Sequence, residues 1–342
     1  MDWGGEREYL CVDDFIADVV GARALASALE LGVIDHLLQK PVGSLEELGA
    51  LARLDQRGLG LLTGMLRANR VIEMRGDAVS LSARFRRALR YRDLLEAKLD
   101  FAALVAPDFL GLFTTLLANP AGFFEHAKLF ELFSYDRCFD PTPENYASTA
   151  RWMRFTTALT RYESGACLGN HDFSRYGRML DVGGNSGEFA LRVCRKHPAM
   201  RATVYDLPLV CDLGERHVRA EAESDRIDFI RTHNTGAAMP RGYDLVTFKS
   251  MLHDWPDEPM QQFLRRAHDA LLPGGTLLLF ERSHVHIGDK QLPYALMPIV
   301  LFFRSYRAGS DYFGPLRQAG FRDIELTTLD LDMPFILLTA RK

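Results

Sequence analysis

The sequence has few features of a secreted or nucleic-acid-binding protein. Its five cysteines are scattered and form no CxxC pair, which argues against a disulfide framework and indicates reduced thiols. The formal net charge of -4 gives no electrostatic attraction to nucleic acid or to an anionic membrane. The first residues, MDWGGEREYL, lack the basic segment and apolar run of a signal peptide. We therefore expect a cytoplasmic protein.

Long apolar runs are also lacking. The longest one considered, LPYALMPIVLFF, contains two prolines and falls well short of the roughly 20 residues that span a bilayer, so we expect no membrane insertion. The composition, with 47% hydrophobic and 25% charged residues, is typical of a globular protein. A chain of 342 residues has room for two domains of unequal size.

The first part of the chain has the pattern of helices followed by a hairpin. Apolar residues recur at three- and four-residue spacing in DDFIADVVGARALASALELGVIDHLL, and Ser44 with Glu47 has the capping-box pattern. RVIEMRGDAVSLS alternates across an Arg-Gly-Asp turn and predicts a hairpin. This order is typical of a winged helix, which often binds DNA. The second helix carries only Arg67 and Arg70 as basic residues, so packing or subunit contact is favoured over DNA recognition.

The second part of the chain alternates strands with helices. RMLDVGG, RATVYDLP, IDFIRTHN, YDLVTFKSML and GTLLLFERSHV predict strands separated by helical segments. This rhythm predicts an α/β fold with a doubly wound, mainly parallel sheet. Between the two parts lies a helical segment rich in Phe, Tyr and Met. We expect a helical, winged-helix-like domain at 1–100, a helical linker and pocket layer at 101–170, and the α/β domain at 171–342.

A glycine-rich turn follows the first predicted strand, in LDVGGNSGEFA. Glycines suit a turn that a ligand approaches closely, here a dinucleotide pyrophosphate or the amino-acid end of S-adenosylmethionine. The G-x-G-x-x-G spacing is not met. Asp181, before the glycines, suits an ammonium and a sulfonium better than a diphosphate. Asp206 ends the next strand, where a carboxylate can bind two ribose hydroxyls or cap a helix.

The stretch KSMLHDWPDE places His253 and Asp254 where a buried strand ends. Doubly wound sheets hold their reacting groups at the carboxyl ends of strands. A neutral imidazole, with a pKa of about 6.5, can accept the proton of a phenol of pKa about 10 while a bond forms. The plainer alternatives are a loop histidine without a chemical role and an aspartate that caps the helix after Pro256.

Five segments in order resemble the class I S-adenosylmethionine-dependent O-methyltransferases of the plant caffeate/flavonoid and acetylserotonin type, which include bacterial small-molecule enzymes. They are LDVGGNSGEFA, VYDLP, DLVTFKSMLHDWPDE, LLPGGTLLLFE and LRQAGF, within residues 179–321. The resemblance implies a Rossmann-like S-adenosylmethionine-binding domain, an N-terminal dimerisation domain and a homodimer. It also implies methyl transfer to a hydroxyl of a small aromatic secondary metabolite or pigment.

The resemblance also implies a set of cofactor-binding residues. They are Asp181, Gly183, Gly184, Asn185, Gly187, Asp206, Leu207, Asn234, Thr235 and Lys249. Asn185 replaces a glycine of the family's GGGTG, and asparagine tolerates left-handed dihedrals. Asn234 replaces the family's usual acid, which leaves the adenine contacts there open.

For catalysis, the resemblance implies that His253 is the base, that Asp254 is its neighbouring acid and that Glu281 orients it. The family often adds a second orienting glutamate, in an R-T-E segment. Gly309 stands at that position and Asp311 follows two residues later. Either Asp311 takes over this role or Glu281 orients His253 alone.

Apolar residues near these segments are candidates for the walls of an aromatic-acceptor pocket, with core packing as the alternative for each. They are Met153, Phe155, Met297, Phe302 and Phe303. Glu281, His284 and His286 have side chains that can bind a metal, but residue 281 falls on the opposite strand face from 284 and 286, so we expect no metal. The alternative functions are C-methylation, a non-methylating reaction with the same cofactor, a DNA-binding regulator and a nicotinamide dehydrogenase.

Overall fold

A computed structural model describes residues 5–234, 236–285 and 292–342 of the chain. These residues divide into two compact units. The first comprises residues 5–123 and 292–299, and the second comprises the remaining described residues from 124 onward. The bounds expected for three domains, 1–100, 101–170 and 171–342, stay a prediction.

The first unit is mainly helical. Its helices are α1 (Val19–Glu30), α2 (Val33–Gln39), α3 (Leu45–Ala52), α4 (Gln56–Ala68), α5 (Ala83–Ala88) and α6 (Arg92–Ala118), and its strands are β1 (Gly43–Ser44), β2 (Ile72–Arg75) and β3 (Ala78–Leu81). The predicted capping box is present, because the Ser44 hydroxyl accepts from the Glu47 N–H while the Glu47 carboxylate accepts from the Ser44 N–H. The predicted hairpin is also confirmed, as β2 pairs antiparallel with β3.

One helical stretch, 83–118, is long and apolar enough to cross a bilayer by length and composition alone. It is longer than the apolar run that the sequence analysis singled out. Two of its charged residues, Lys98 and Asp108, are buried, and the Lys98 ammonium pairs with the Asp13 carboxylate at 2.7 Å. A buried ion pair of this kind fits a helix that packs within a protein better than one that faces lipid.

The second unit is built on a seven-stranded sheet within the described residues. Its strands are β4 (Arg178–Val182), β5 (Arg201–Asp206), β6 (Ile227–Arg231), β7 (Tyr243–Lys249), β8 (Leu271–Arg282), β9 (Arg322–Asp330) and β10 (Pro334–Arg341). Its helices include α8 (Leu129–Leu132), α9 (Pro143–Asn170), α10 (Glu188–Lys196), α11 (Pro208–Val218), α12 (Asp257–Ala270) and α14 (Phe313–Gln318). Two further helices, α7 (Pro120–His126) and α13 (Met297–Val300), lie where the chain passes between units.

The strand order, β6-β5-β4-β7-β8-β10-β9, confirms the predicted doubly wound α/β fold. The first five strands are parallel, and β10 runs antiparallel to both of its neighbours. Strands such as β4 are buried along nearly their whole length, as expected where helices cover both faces. The chain reverses its direction of travel between β4 and β7. In such sheets ligands bind at the carboxyl ends of the strands beside this reversal.

Two details of the sheet differ from the sequence predictions. The strand predicted over YDLVTFKSML ends at Lys249, because Ser250 adopts a left-handed backbone with φ +50°, and Leu252–Asp254 then form a 3-10 turn. The strands β9 and β10 were not predicted. β9 is mostly exposed, so it lacks the apolar alternation by which a strand is recognised.

Candidate active site

The turn between β4 and α10 has the backbone of a close-approach site. Gly183, Asn185 and Gly187 all have positive φ, at +67°, +54° and +75°. Asn185 therefore keeps the left-handed turn, as predicted for this residue type. A Cβ added to Gly184 would lie 2.6 Å from Asp181 Oδ2. Any larger residue at 184 would displace that carboxylate.

Two buried carboxylates flank this turn at the ends of β4 and β5. Asp181 Oδ1 accepts from the Thr247 hydroxyl at 2.7 Å, whereas Asp181 Oδ2 has no hydrogen-bond partner among the described residues. Asp206 accepts from the backbone N–H of Asn185 at 2.8 Å and of Leu207 at 2.7 Å. Burial raises the pKa of Asp181 to about 7 and that of Asp206 to about 6. Asp181 is thus a buried acid whose Oδ2 can accept a hydrogen bond from a bound ligand.

Helix α9 holds the turn from the side, which the sequence analysis missed. The Thr156 hydroxyl donates to Asn185 Oδ1 at 3.2 Å, and the hydroxyls of Thr157 and Ser186 are 2.8 Å apart. No local motif marks these threonines.

Lys249 lies at the end of β7 within a buried group of charges. Its ammonium is 2.5 Å from the Glu163 carboxylate and 3.0 Å from the Thr160 hydroxyl. Glu163 also binds the guanidinium of Arg282, which in turn binds Asp332 at 3.1 Å. The two cations hold the pKa of Glu163 near 2 against the opposing effect of burial. The structure therefore pairs Lys249 with helix α9.

His253 is held by a carboxylate from the neighbouring strand. Its Nδ1 lies 2.6 Å from Glu281 Oε2, and the Glu281 side chain is fully buried. Glu281 Oε1 accepts from the N–H of Met251 at 2.8 Å and of Leu252 at 2.9 Å. One carboxylate therefore binds both the imidazole and the backbone that precedes it. This contact engages Nδ1 and leaves Nε2 on the opposite side of the ring.

A second carboxylate faces the other side of the imidazole. Asp254 Oδ1 lies 3.4 Å from His253 Nε2, and Asp254 Oδ2 accepts from the Tyr135 hydroxyl at 2.6 Å. Burial lowers the pKa of His253, but the negative charges of Asp254 and Glu281 outweigh it and raise the pKa above 6.5. Tyr135 also stacks on Trp255, with ring centroids 6.1 Å apart. The sequence analysis did not identify Tyr135.

An aromatic cluster leads to Asp254. Its rings contact one another in sequence, with centroids 5.7 to 6.2 Å apart. The members are Phe130, Phe133, Tyr135, Trp152, Trp255 and Phe302. Of the predicted pocket residues, Phe302 is among them. The aromatic-rich segment GFFEHAKLFELFSY contains Phe130, Phe133 and Tyr135, whereas Trp152 and Trp255 lie in other segments.

The place of the other predicted pocket residues in a pocket stays a prediction. Met153 is buried in a core cluster with Trp152 and Leu207, against which Phe133 and Tyr135 pack. Phe155 is half-buried, and Phe303 lies beneath the Arg304 guanidinium at 4.8 Å. Met297 is buried in the first unit.

The predicted residues beyond β6 are only partly described. Asn234 is exposed, and its side-chain oxygen accepts from the Gly236 N–H at 2.9 Å. Thr235 and the weighed metal ligand His286 lie outside the described residues.

A family model for the O-methyltransferase domain matches residues 124–322. The chain belongs to the O-methyltransferase family. It is 35% identical over 157 residues to 3-hydroxy-5-methyl-1-naphthoate 3-O-methyltransferase of Streptomyces sahachiroi, a match that covers 45% of each chain. The chain thus spans about half the length of this relative. It is 26% identical over 327 residues to the acetylserotonin O-methyltransferase of Rattus norvegicus, covering 94% of this chain and 74% of the relative.

A solved structure shares the fold. Human N-acetylserotonin methyltransferase in complex with SAM matches with a TM-score of 0.75 and 21% identity, covering 100% of this chain and 99% of that one. This likeness confirms the predicted fold class of a Rossmann-like methyltransferase.

The position of the second orienting glutamate of many O-methyltransferases is built differently here. A Cβ added to Gly309 would lie 2.7 Å from Leu326 Cδ1 on β9, so a side chain at 309 would start against that leucine. Asp311 is exposed and accepts from the Ala308 N–H at 2.8 Å, which caps a 3-10 turn. The carboxylate bonded to His253 Nδ1 is that of Glu281.

We expect Asp181→Asn to stabilise the protein at high pH. A carboxyl with a folded pKa of about 7 and an unfolded pKa near 3.9 disfavours folding when it is ionised, by an amount on the order of a few kcal/mol. The variant should therefore gain stability over the parent at pH 8, with the gain shrinking as pH falls from 7 to 4. Urea unfolding across pH 4–8 measures this, and the exposed Asp228→Asn serves as the control. A gain that does not vary with pH would contradict the burial argument.

Proposed function

We propose that this protein is an S-adenosylmethionine-dependent O-methyltransferase that methylates a hydroxyl group of a small aromatic secondary metabolite, with His253 as the general base. The observation that carries the proposal is the contact of the partly buried His253 Nδ1 with the buried Glu281 carboxylate beside the glycine turn. Met251 links the two, because a Cβ on Gly183 would lie 2.5 Å from Met251 Cγ. A base and a close-approach turn therefore adjoin one another.

The residues around the turn fit the proposed cofactor. Asp181 has a buried oxygen without a partner, which suits the ammonium of the methionine end, since a buried carboxylate requires a cation or a donor. Asp206 ends β5, where a carboxylate can bind ribose hydroxyls, and its bonds to two backbone N–H groups leave further lone pairs. Gly184 leaves the space beside Asp181 that a side chain would fill. When bound, S-adenosylmethionine supplies a methyl group on a positively charged sulfur.

In the proposed mechanism, His253 accepts the proton of the hydroxyl group that is methylated. Because Nδ1–H donates to Glu281, Nε2 keeps its lone pair and accepts the proton of the acceptor hydroxyl as the oxygen–carbon bond forms. The imidazolium that results lies between the Glu281 and Asp254 carboxylates, which stabilise it. Tyr135 keeps Asp254 in this orientation. The chain thus aligns the hydroxyl, removes its proton and stabilises the new charge.

An aromatic acceptor is supported by the aromatic cluster that leads to Asp254. Flat rings that meet edge-to-face or stacked offer apolar surfaces to a further ring. The family relatives named above act on a naphthoate and on acetylserotonin, both of which are aromatic. The net charge of -4 and the apolar α4 helix support a protein that acts on small molecules without binding nucleic acid. The free cysteines support a location in the cytoplasm, and the buried Lys98–Asp13 pair supports a protein that does not insert into a membrane.

We expect His253→Ala to reduce turnover by about 100-fold or more, since general bases contribute roughly 10²–10⁴-fold. Affinity for S-adenosylmethionine should stay within about twofold, because the proposed binding groups are on β4 and β5. Labelled methyl transfer to a panel of phenolic acceptors, with calorimetry for the cofactor, measures both. Normal turnover would eliminate His253 as the base. NMR of the product would reveal C-methylation instead, if that is the reaction.

We expect kcat/KM to rise with pH, with a midpoint above 6.5. Only neutral His253 can accept a proton, and the charges of Asp254 and Glu281 raise its pKa. Asp254→Asn removes one of these charges, so the midpoint should move to lower pH. Glu258→Gln, which removes a nearby exposed charge, is the control and should leave it unchanged. An unchanged midpoint in Asp254→Asn would be inconsistent with the assigned contact.

We also propose a homodimer. The first unit exposes large apolar side chains, such as Leu61 at 67% and Leu110 at 79%, which a second copy of the chain would cover. Light scattering should give a mass near twice the 38.6 kDa of one chain. We expect Leu110→Asp to lower that mass, whereas Leu272→Asp, at an exposed leucine of the second unit, should not. A monomeric parent protein would refute the proposal.

A further inference from the structure

The loop that carries His253 and Asp254 is held firmly at its start. Ser250 donates its N–H to the Phe280 carbonyl at 2.9 Å, and Glu281 accepts from Met251 and Leu252. Within the loop, the Asp254 N–H donates to the Met251 carbonyl at 3.2 Å. The Trp255 N–H also donates to the Leu252 carbonyl, at 3.3 Å. The Leu252 carbonyl keeps a second lone pair, and both it and the Trp255 carbonyl can accept from a donor outside the loop.

Arg307 supplies those donors. Its Nη1 donates to the Leu252 carbonyl at 3.1 Å, and its Nη2 donates to the Trp255 carbonyl at 2.7 Å. The same guanidinium reaches the Asp257 carboxylate at 2.9 Å. The Arg307 side chain is only 15% exposed. The two carbonyls it binds stand immediately before and after His253-Asp254.

We propose that Arg307 is a positioning residue for the base, which fixes the loop 252–255 so that His253 keeps both Glu281 and Asp254. The inference rests on the proposed function, in which His253 accepts the proton. Glu281 binds the loop through its N–H groups and Arg307 binds it through its carbonyls. His253 and Asp254 lie between these two attachments.

The planar guanidinium is suited to this task. It presents several donors in a fixed fork, so one side chain can hold two carbonyls in a set relation. Arg307 stands two residues before Gly309, the position where many O-methyltransferases have their second orienting glutamate. In this chain, the segment after residue 300 therefore acts on His253 through Arg307, whose guanidinium binds the backbone of the loop. It does not use a glutamate at position 309 that binds the imidazole.

If Arg307 is a positioning residue, Arg307→Ala should lower kcat and leave KM for S-adenosylmethionine nearly unchanged. A misplacement of about 1 Å can cost on the order of 10²-fold in rate, so kcat should fall about 10- to 100-fold while KM for S-adenosylmethionine stays within about twofold. Guanidinium at tens of millimolar should restore part of kcat. Sodium chloride at equal ionic strength should not.

The pH profile separates positioning from simple loss of charge. The groups that contact His253 or act on its charge are Glu281 on β8, Asp254 on its own loop and Tyr306 at a ring distance of 5.2 Å. Arg282 on β8 acts on it from the opposite strand face, and Arg307 acts through the loop carbonyls. If Arg307 positions the loop, its loss loosens the contacts of His253 with the two carboxylates. The midpoint of the rise of kcat/KM with pH, called the acid midpoint, then moves to lower pH. If Arg307 acted only as a charge, its loss would move the midpoint up. Arg307→Lys keeps the charge without the fork and should show a partial loss of kcat.

Arg226→Ala is the matched control. Arg226 also donates to three backbone carbonyls, those of Cys194, His197 and Met200, but these join α10 to β5 at the amino end of the strand. Its loss should lower the urea midpoint of unfolding while kcat per folded enzyme and the acid midpoint stay unchanged. If Arg226→Ala and Arg307→Ala changed kcat equally, Arg307 would be structural only.

The two proposals fail in different ways. Normal turnover by Arg307→Ala, beside an inactive His253→Ala, would overturn the inference about Arg307 and leave the base in place. Normal turnover by His253→Ala would overturn the proposed function itself. An upward shift of the acid midpoint in Arg307→Ala, or no rescue by guanidinium, would also count against positioning.

Discussion

The interaction on which the site depends is the buried carboxylate of Glu281. It accepts from two consecutive backbone N–H groups, those of Met251 and Leu252, and contacts His253 Nδ1. A fully buried carboxylate without such partners would cost several kcal/mol. The loop after β7 therefore cannot move away from β8 without exposing or stranding that charge. The pairing of Lys249 with Phe280 across the two strands sets the register that brings Glu281 to this point.

The next residue on the strand, Arg282, makes its contacts on the other face of the sheet. Successive side chains of a strand point to opposite faces, so Arg282 faces away from the loop and binds Glu163 on α9. Glu163 also pairs with Lys249 from β7. The ends of β7 and β8 are thus joined on one face by His253 and Glu281, and on the other face through Glu163. Removing a single partner of a buried ion network strands the remaining charge, which makes this edge of the sheet rigid.

The sequence predicted the parts of the site that follow from strand ends. Asp181, Asp206, His253 and Glu281 each end a strand or follow one closely, and a doubly wound sheet brings such positions together. The contacts of Thr156, Tyr135 and Arg307 were not predictable in this way. They come from a helix and from irregular segments whose approach to the sheet is decided by packing of distant residues. The place of Met297 in the pocket, suggested by its position along the chain, stays a prediction, and the residue belongs to the first unit.

Some of the unfavourable conformations in this fold lie around the proposed cofactor site, although Arg53, Arg70 and Asp323 have positive φ elsewhere. Asn185 and Ser250 have positive φ without being glycine, and Asp181 keeps a buried oxygen without a partner among the described residues. Each of these features costs free energy, which a glycine at the two positive-φ positions or a hydrogen-bond donor beside Asp181 would avoid. They lie at the carboxyl ends of β4 and β7, on either side of the point where the sheet reverses. A cationic ligand at this point would satisfy Asp181 and would be bordered by both strained turns. The strain at these two turns is therefore located where binding could offset it, while the proposed base, His253, is held by the Glu281 carboxylate.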